Sequence, residues 1–361
     1  MSRAGGVGKV MRRSAPTTTS NIRLLEHVNL NVPDRRKAYE FYVNRLGGAV
    51  HPNGTLQSQL HVNFGVCQFH LPFAKPVDSG ACAVPATDLS VEGVDAVPVV
   101  VDEFYGAAQL WDGIIELWVA QGGLSKIEEG EDVCVCASED EARRVAWRAL
   151  EARKRGDVEA ARACLSDEAR EKTSREDHGG ESLVILCPFG NVFVLRSASE
   201  HVAEELRELG THPGNPDTPQ SRVIGIAHVH IIAKPGSAKE ARAFYDALGA
   251  TTTLSSEDRS LDVVTGKYQV FSIHDDERAV DHDACETNAR AWAYHVCMYV
   301  NDEDIDALRA KVGSAYHNSV RFKVLDSLCA PFQVRARALA PRFYLEHEIR
   351  TLQAPMCPLN V

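Results

Sequence analysis

The chain has 361 residues, of which 44% are hydrophobic and 25% are charged, and its formal net charge at pH 7 is −11. This composition is that of an ordinary folded protein and excludes a chain that is disordered throughout. The negative charge argues against the clustered lysines and arginines that bind nucleic acid, and no apolar run reaches the roughly 18 residues of a membrane span. We therefore expect neither a nucleic-acid nor a membrane partner.

Two features bear on location. The ten cysteines contain no Cys-x-x-Cys pair, and the closest spacing is Cys134 to Cys136, which predicts reduced thiols rather than a disulfide framework or a zinc knuckle. A cytoplasmic protein follows from that pattern. Residues 1–21 are predicted to form a disordered tail; because this tail is basic and rich in Ser and Thr, an organelle is the alternative location.

The first half alternates predicted strands with one helix. A strand at 24–32 is followed by Asp34, which is placed to cap a helix that runs to about Leu46. Further strands are predicted at 60–71, within GIIELWVA at 113–120, and in a hairpin at 183–196 with its turn at 188–191. A charged segment at 139–176 interrupts the strands and is predicted to be a solvated helical insertion with Val145, Leu150 and Leu165 as sparse apolar anchors.

The second half repeats the opening phrase of the first. HVNLNVPDRRKAYEFYVNRLG begins at His27, and HVHIIAKPGSAKEARAFYDALG begins at His228. The repeat predicts an internal duplication, with domains at 22–208 and 222–361 and a Pro- and Gly-rich linker at 209–221. Within the second domain the predicted elements follow in order: a strand at 224–233, a helix at 237–248, strands within 261–273, a strand at 293–300, a helix at 302–312, and a strand within 341–352.

Several of these motifs resemble one known superfamily. The repeated phrase, GVCQFHLP at 65–72, CPFGNVFVL at 187–195 and YHVCMYV at 294–300 are similar to the vicinal oxygen chelate superfamily, which includes glyoxalase I, bleomycin resistance proteins and extradiol dioxygenases. The resemblance implies an α+β fold of tandem βαβββ units that form two half-open barrel domains. It also implies a divalent metal on a concave face, with iron, manganese or zinc as candidates.

The resemblance carries ligand positions onto the second domain. His228 matches the ligand position of a first strand, and His295 opens the next unit. In FYLEHEIR, strand alternation places Tyr344, Glu346 and Glu348 on one face and His347 on the other. We expect the metal ligands to be His228, His295 and Glu346, with Glu348 as the alternative carboxylate.

Other residues receive weaker assignments. His230 shares the face of His228 and is either a general base or a residue that lines the cavity; Tyr344 is a second candidate for proton transfer. In the first domain, His27, His70 and Glu116 stand at plausible ligand positions. Because Cys187 and Val194 replace expected ligating residues there, the first domain is expected to be a degenerate copy.

Two functions remain open at this point. The first is a metal-dependent enzyme of the glyoxalase or extradiol dioxygenase type, acting on a small organic substrate that chelates the metal through adjacent oxygens. It would be a dioxygenase, lyase or isomerase. The alternative is a metal-free module that binds or sequesters a small ligand, as the resistance proteins of this superfamily do. In either case the expected partner is a small molecule.

Overall fold

A computed structural model of the chain describes residues 20–51, 59–72, 109–127, 132–173, 182–212, 222–279, 295–301, 307, 310, 333–337 and 345–360. Structural statements below refer to these residues. Tyr344, most of the predicted helix at 302–312 and the linker residues 213–221 lie outside them.

The strands of the described residues are, in chain order, β1 (Ile22–Asn29), β2 (Ala49–Val50), β3 (Gln59–Phe64), β4 (Cys67–Pro72), β5 (Gly113–Val119), β6 (Val133–Cys136), β7 (Ser182–Leu186), β8 (Val192–Ser197), β9 (Val223–Ala233), β10 (Thr251–Leu254), β11 (Ser260–Gly266), β12 (Gln269–Asp275), β13 (His295–Val300), β14 (Gln333–Arg337) and β15 (Glu346–Thr351). The helices are α1 (Arg35–Ala38), which continues into a π-helix at Tyr39–Arg45, α2 (Glu139–Arg155), α3 (Val158–Thr173), α4 (Glu200–Glu208) and α5 (Ser237–Ala247), with a 3₁₀ turn at Leu124–Lys126.

These strands form two open sheets within the described part of the chain. The first sheet has the order β14-β15-β13-β1-β4-β3-β2, and the second has the order β10-β11-β12-β9-β5-β8-β7-β6. In both, two antiparallel central strands are each flanked by a parallel strand from the same repeat: β4 beside β1, β15 beside β13, β12 beside β9 and β8 beside β5. The predicted α+β fold with two half-open barrels is therefore confirmed.

The described strands fall into four related units, which pair first with last and second with third. The described residues of these units lie within 22–72, 113–197, 223–275 and 295–351. The first sheet joins units one and four through β1 and β13, and the second joins units two and three through β5 and β9. Both sheets thus take strands from both sides of the predicted linker. The sequence repeat identifies the units, but the pairing of their edges crosses the predicted division into 22–208 and 222–361.

The predicted helix start at Asp34 is present. The Asp34 carboxylate accepts a hydrogen bond from the Lys37 backbone N–H at 3.0 Å, as an N-cap residue does. After Ala38 the helix widens into the π-helix, and Gly47 follows with φ +74°, a left-handed conformation that glycine adopts without steric cost. The first unit therefore returns to its sheet directly after the turn.

The helical insertion is less solvated than its charge pattern predicts. Val145, Leu150 and Leu165 are buried in a cluster with apolar residues of β5, β7 and β8. Because α2 carries Ala at most of its remaining inward positions, the helix packs closely on the second sheet. Several of its charged residues pair with one another, whereas Arg143 bonds Glu116 of β5 and the buried Arg153 donates to the backbone oxygens of Trp111 and Gly190. The insertion therefore covers one face of the second sheet.

Several elements were not predicted from the pattern, β2 and the 3₁₀ turn at Leu124–Lys126 among them. α4 lies directly before the linker, β10 contains three consecutive threonines, and β14 lies where no strand alternation is evident. No helix of the described residues is long and apolar enough to cross a membrane. Cys67, Cys164 and Cys187 have free thiols.

Candidate metal centre

The central strands of the first sheet bring two histidines together. His27 on β1 and His295 on β13 are buried, and their Nε2 atoms lie 3.2 Å apart. The strands are antiparallel neighbours, with His27 opposite Cys297 and Asn29 opposite His295, so the two imidazoles meet on a diagonal of the ladder. One histidine comes from each end of the chain.

A buried carboxylate completes this cluster. Glu348 on β15 places its Oε2 atom 3.9 Å from His27 Nε2 and 3.7 Å from His295 Nε2. The guanidinium of Arg350 pairs with the other carboxylate oxygen of Glu348, which holds the carboxylate in position. His27, His295 and Glu348 are called the first-sheet triad below.

A second buried carboxylate fixes the orientation of His27. Glu26 Oε2 lies 2.6 Å from His27 Nδ1, although consecutive strand residues normally point to opposite faces. The pairing of β1 with β13 shifts register between Leu25 and His27, and this bulge turns both side chains into one cluster. Because an ionised carboxylate only accepts, His27 donates from Nδ1 and keeps its lone pair on Nε2, toward the triad.

Glu26 is itself held by two cationic or potentially cationic groups. His212 Nε2 lies 2.8 Å from Glu26 Oε1, and Arg350 Nη1 lies 3.6 Å from Oε2. Burial raises the pKa of Glu26, but the neighbouring imidazoles of His27 and His212 outweigh it and hold that pKa well below the usual range. Glu26 is therefore a carboxylate acceptor, as the orientation of His27 requires.

Two further histidines stack beside the triad. The His70 ring lies on the His27 ring with centroids 3.7 Å apart, and the His61 ring lies on His70 at 3.9 Å. Burial, followed by the proximity of His27, lowers the pKa of His70 well below 6.5 and that of His61 to about 4. Both rings are therefore neutral near pH 7.

The second sheet contains a similar cluster on its own central strands. Glu116 on β5 lies opposite His228 on β9, and one ligand atom from each of Glu116, His228 and His230 falls within 4.8 Å of the others. His230 Nε2 lies 3.0 Å from Glu116 Oε1, and the other nitrogen, Nδ1, lies 3.0 Å from His274 Nε2. We call Glu116, His228 and His230 the second-sheet triad.

Two arginines distinguish this cluster from the first. Arg143 from α2 contacts Glu116 Oε1 through Nε at 2.6 Å and Oε2 through Nη2 at 3.1 Å, and Arg196 from β8 contacts Oε2 at 3.0 Å. Burial raises the pKa of Glu116, but the bonds from His230 and Arg143 outweigh it and hold that pKa well below its usual range. The charge of this carboxylate is already neutralised by the protein.

The structure divides the expected ligand set between the two sheets. His228 lies in the second sheet, beside Glu116 and His230, whereas His295 lies in the first sheet beside His27. The reason is the pairing of units one with four and two with three, which the repeat does not reveal. His27 and His70, which we expected to belong to a degenerate site, lie together in the first-sheet cluster, while Glu116 lies in the other sheet.

The residues expected to supply the carboxylate ligand and to transfer protons do not all lie at the first-sheet triad. Glu346 is buried beside His295 in the register of β13 and β15, but the carboxylate grouped with both histidines is that of Glu348, the alternative. His347 lies on the opposite side, as alternation predicts, where its Nε2 lies 2.9 Å from the hydroxyl oxygen of Tyr245. His230 belongs to the second sheet, and Tyr344 lies outside the described residues.

Sequence reasoning missed the residues that surround both triads. Glu26 and Arg350 contact the first, with His212 paired to Glu26 behind it, and Arg143, Arg196 and His274 contact the second. The adjacency of Glu26 and His27 is visible in the sequence, but strand alternation argues against a contact between them. Arg143 lies in the insertion, which carries no repeat motif, so no sequence signal connects it to Glu116.

The first-sheet triad has the chemistry of a divalent cation site. Metal–ligand bonds of about 2.1 Å place neighbouring ligand atoms roughly 3 to 4 Å apart, and the three separations here are 3.2, 3.7 and 3.9 Å. Two imidazole nitrogens and one carboxylate oxygen suit iron, manganese and zinc. The residues present therefore fit such an ion.

No family model matches the sequence, and no curated protein matches it significantly. Three of the solved structures to which the chain is similar are the following. One is a Bacillus subtilis protein to which a dioxygenase activity has been ascribed (11% identity, 92% of this chain and 86% of that chain covered, TM-score 0.44). Another is a mutant of glyoxalase I from Zea mays (10%, 92% and 94%, TM-score 0.37). The third is homoprotocatechuate 2,3-dioxygenase from Brevibacterium fuscum with 3,4-dihydroxyphenylacetate (11%, 96% and 91%, TM-score 0.27).

These proteins are of the types that the sequence motifs resemble. The similarity to these glyoxalase and dioxygenase structures is a partial one, with TM-scores of 0.27 to 0.44. At identities of 10 to 11% it does not extend to activity. Function has to be argued from the residues of the two triads.

Proposed function

We propose that this protein is a metal-dependent enzyme whose divalent cation is held by the first-sheet triad, His27, His295 and Glu348. The observation that carries the proposal is the convergence of two Nε2 atoms and one carboxylate oxygen within 3.9 Å at a buried position. When bound, the cation would supply Lewis-acid polarisation of a substrate that offers two adjacent oxygens.

The surrounding residues prepare the ligands for this task. Glu26 keeps the proton of His27 on Nδ1, which leaves Nε2 available as a ligand. In the metal-free protein, His295 Nε2 donates its hydrogen to His27 Nε2, so binding requires His295 to carry its proton on Nδ1 instead. Arg350 holds Glu348 by its second oxygen, and His70 buttresses the His27 ring.

The charges around the triad favour a cation. Glu26 and Glu348 are both buried carboxylates, and Arg350 contacts both of them. Counting these carboxylates and the guanidinium alone, the negative charges exceed the positive by one, which a divalent ion would help to compensate. In the second-sheet triad, by contrast, a single carboxylate already receives two guanidinium groups.

A titration calorimetry experiment tests the proposal. The protein is loaded with iron(II) under anaerobic conditions and titrated with 3,4-dihydroxyphenylacetate, chosen because a catechol offers two adjacent oxygens. The proposal predicts binding to the loaded protein and its loss after chelation or in the Glu348→Gln variant. Equal binding with and without metal would instead favour the metal-free ligand-binding module. Glu204→Gln, at an exposed position of α4, is the matched control and should behave as the wild type.

A further inference from the structure

We propose that the second-sheet triad is a second cation site that the helical insertion has closed, with the guanidinium of Arg143 in the place of a metal ion. Removal of Arg143 should open this site to a hard divalent cation such as Mn²⁺. The inference concerns residues outside the proposed active site and does not depend on it.

The ligand atoms of such a site are already assembled. Glu116, His228 and His230 each bring one ligand atom within 4.8 Å of the others, on the two central strands of the second sheet. His27 and His228 open the two copies of the repeated phrase, and each lies on a central strand of its sheet. The second sheet therefore presents an imidazole–carboxylate set at the same place in its architecture as the first-sheet triad.

Glu116 has no acceptor capacity left for an ion in the present arrangement. Arg143 donates to both of its oxygens, Arg196 donates to Oε2, and His230 donates to Oε1. A guanidinium that bonds both oxygens satisfies a carboxylate in charge and in geometry. Loss of Arg143 would expose Oε1 while Arg196 still holds Oε2, which parallels the way Arg350 holds Glu348 in the first sheet.

The hydrogen bonds of His228 and His230 determine which of their nitrogens could bind a cation in place of Arg143. Ser272 donates its hydroxyl hydrogen to Asp262 at 2.7 Å, so the 2.6 Å contact with His228 is donated by His228 Nε2, and the lone pair of His228 lies on Nδ1. His230 donates to Glu116 from Nε2, and its Nδ1 accepts from His274 at 3.0 Å. With Arg143 removed, His230 can carry its proton on Nδ1 and donate it to His274 Nε2, once His274 carries its own proton on Nδ1, and His230 Nε2 is then available to a cation.

Helix α2 of the insertion supplies both Arg143, which occupies the site, and Trp147, which packs over it. Arg143 and Trp147 stand one helical turn apart on α2, and the Trp147 ring packs edge-on against His230 and His274 at centroid distances of 5.9 and 5.5 Å. A cavity of about 180 Å³, lined in part by Trp147 and Ile232, lies on the other side of Trp147 from these rings, and no triad residue lines it. The triad residues belong to the sheet, so the closure is a property of the insertion.

The test counts bound Mn²⁺ by equilibrium dialysis in a His27→Ala background, which removes a ligand of the first-sheet triad. Arg143→Ala and Arg143→Leu are each compared with that parent, and Leu retains much of the side-chain volume if Ala loosens the helix. The proposal predicts one additional Mn²⁺ per chain in both variants. Adding Glu116→Gln should cancel the gain.

Arg148→Ala is the matched control, because Arg148 lies on the same helix and pairs with Glu168 away from the triad. It should bind no more Mn²⁺ than the parent. Mn²⁺ should also raise the melting temperature of the Arg143 variants and not that of the control. Unchanged Mn²⁺ content in folded Arg143 variants, or variants that Mn²⁺ fails to stabilise, would overturn the proposal. The comparison holds even if the first-sheet triad binds no metal, because the Mn²⁺ content of the His27→Ala parent is subtracted from that of each variant.

Discussion

Glu26 Oε2 lies 2.6 Å from His27 Nδ1, although these residues are neighbours in one strand. The β-bulge that makes this contact possible also determines which nitrogen of His27 faces His295 and Glu348. A hydrogen-bond acceptor behind a ligating imidazole fixes its tautomer and increases its basicity. Glu26 is therefore a positioning residue for the proposed site.

Glu26→Gln should weaken Zn²⁺ binding by about 10- to 100-fold, the usual effect of losing such a partner. The amide retains the size of the side chain but not its charge. Competition titration against a chromophoric zinc chelator measures the affinity. Glu40→Gln, at an exposed position of the π-helix, is the control and should match the wild type. An unchanged affinity in Glu26→Gln would show that the contact does not serve metal binding.

Arg350→Met should destabilise the metal-free protein by about 3 kcal/mol, because it leaves the buried carboxylates of Glu348 and Glu26 without their guanidinium. Zn²⁺ should restore part of the loss, since the ion again compensates these charges. Urea denaturation with chelator and with Zn²⁺ measures both values.

Arg242→Met provides the comparison for Arg350→Met. Arg242 pairs with Asp246 on the exposed face of α5, and such a pair contributes less than about 1 kcal/mol. Equal losses of stability in the two variants, or no recovery of Arg350→Met with Zn²⁺, would contradict the charge balance described for the triad.

The units could be predicted from the sequence, but their partners could not. The repeated phrase places His27 and His228 at equivalent positions, and both do lie on central strands. Which central strands meet depends on edge pairing between segments more than 100 residues apart, and no local pattern records it. The expected set of His228, His295 and Glu346 therefore joins residues of two sheets.

The sequence also could not decide whether Glu346 or Glu348 is the carboxylate of the site. Alternation places Glu346 and Glu348 on one face of β15, and the two differ only in their position along the strand. Which of the two carboxylates lies next to both histidines depends on the register of β15 with β13 and on the bulge in β1, and both are tertiary features. Local signals such as the Asp34 cap were predictable because their cause lies within four residues.

The second-sheet histidines make stability depend on pH. Burial lowers the pKa of His274 to about 3, with a further contribution from His230, whereas an unfolded histidine titrates near 6.5. Between these values the unfolded chain binds more protons than the folded chain, so stability falls as pH falls below about 6.5. Each pH unit costs on the order of 1 kcal/mol for such a group.

His274→Gln should therefore flatten the pH dependence of the unfolding free energy between pH 6.5 and 4.5. Urea denaturation of both proteins at intervals of half a pH unit measures the two slopes. His61, whose pKa burial lowers to about 4, remains in the variant and should preserve part of the slope. Identical slopes for wild type and variant would mean that His274 accepts a proton in the folded protein.

Gly113→Ala tests the pairing of unit two with unit three. A Cβ atom at Gly113 would lie 1.8 Å from the backbone oxygen of His230, so β5 and β9 could not keep their spacing. We expect a loss of about 2 to 4 kcal/mol in urea denaturation. Gly225→Ala lies in the same strand pair, where Cys67 Sγ is 3.8 Å from the added atom, and should change stability little. Comparable stability of the two variants would contradict the described sheet.

The most direct test of the account is metal binding by two single variants of equivalent histidines. Zn²⁺ is titrated calorimetrically into the wild type, His27→Ala and His228→Ala, after each has been freed of metal by dialysis against a chelator. The account predicts that the wild type and His228→Ala each bind one Zn²⁺ per chain with similar affinity, and that His27→Ala loses this binding. Retention of Zn²⁺ by His27→Ala together with its loss from His228→Ala would place the site in the second sheet and contradict the account.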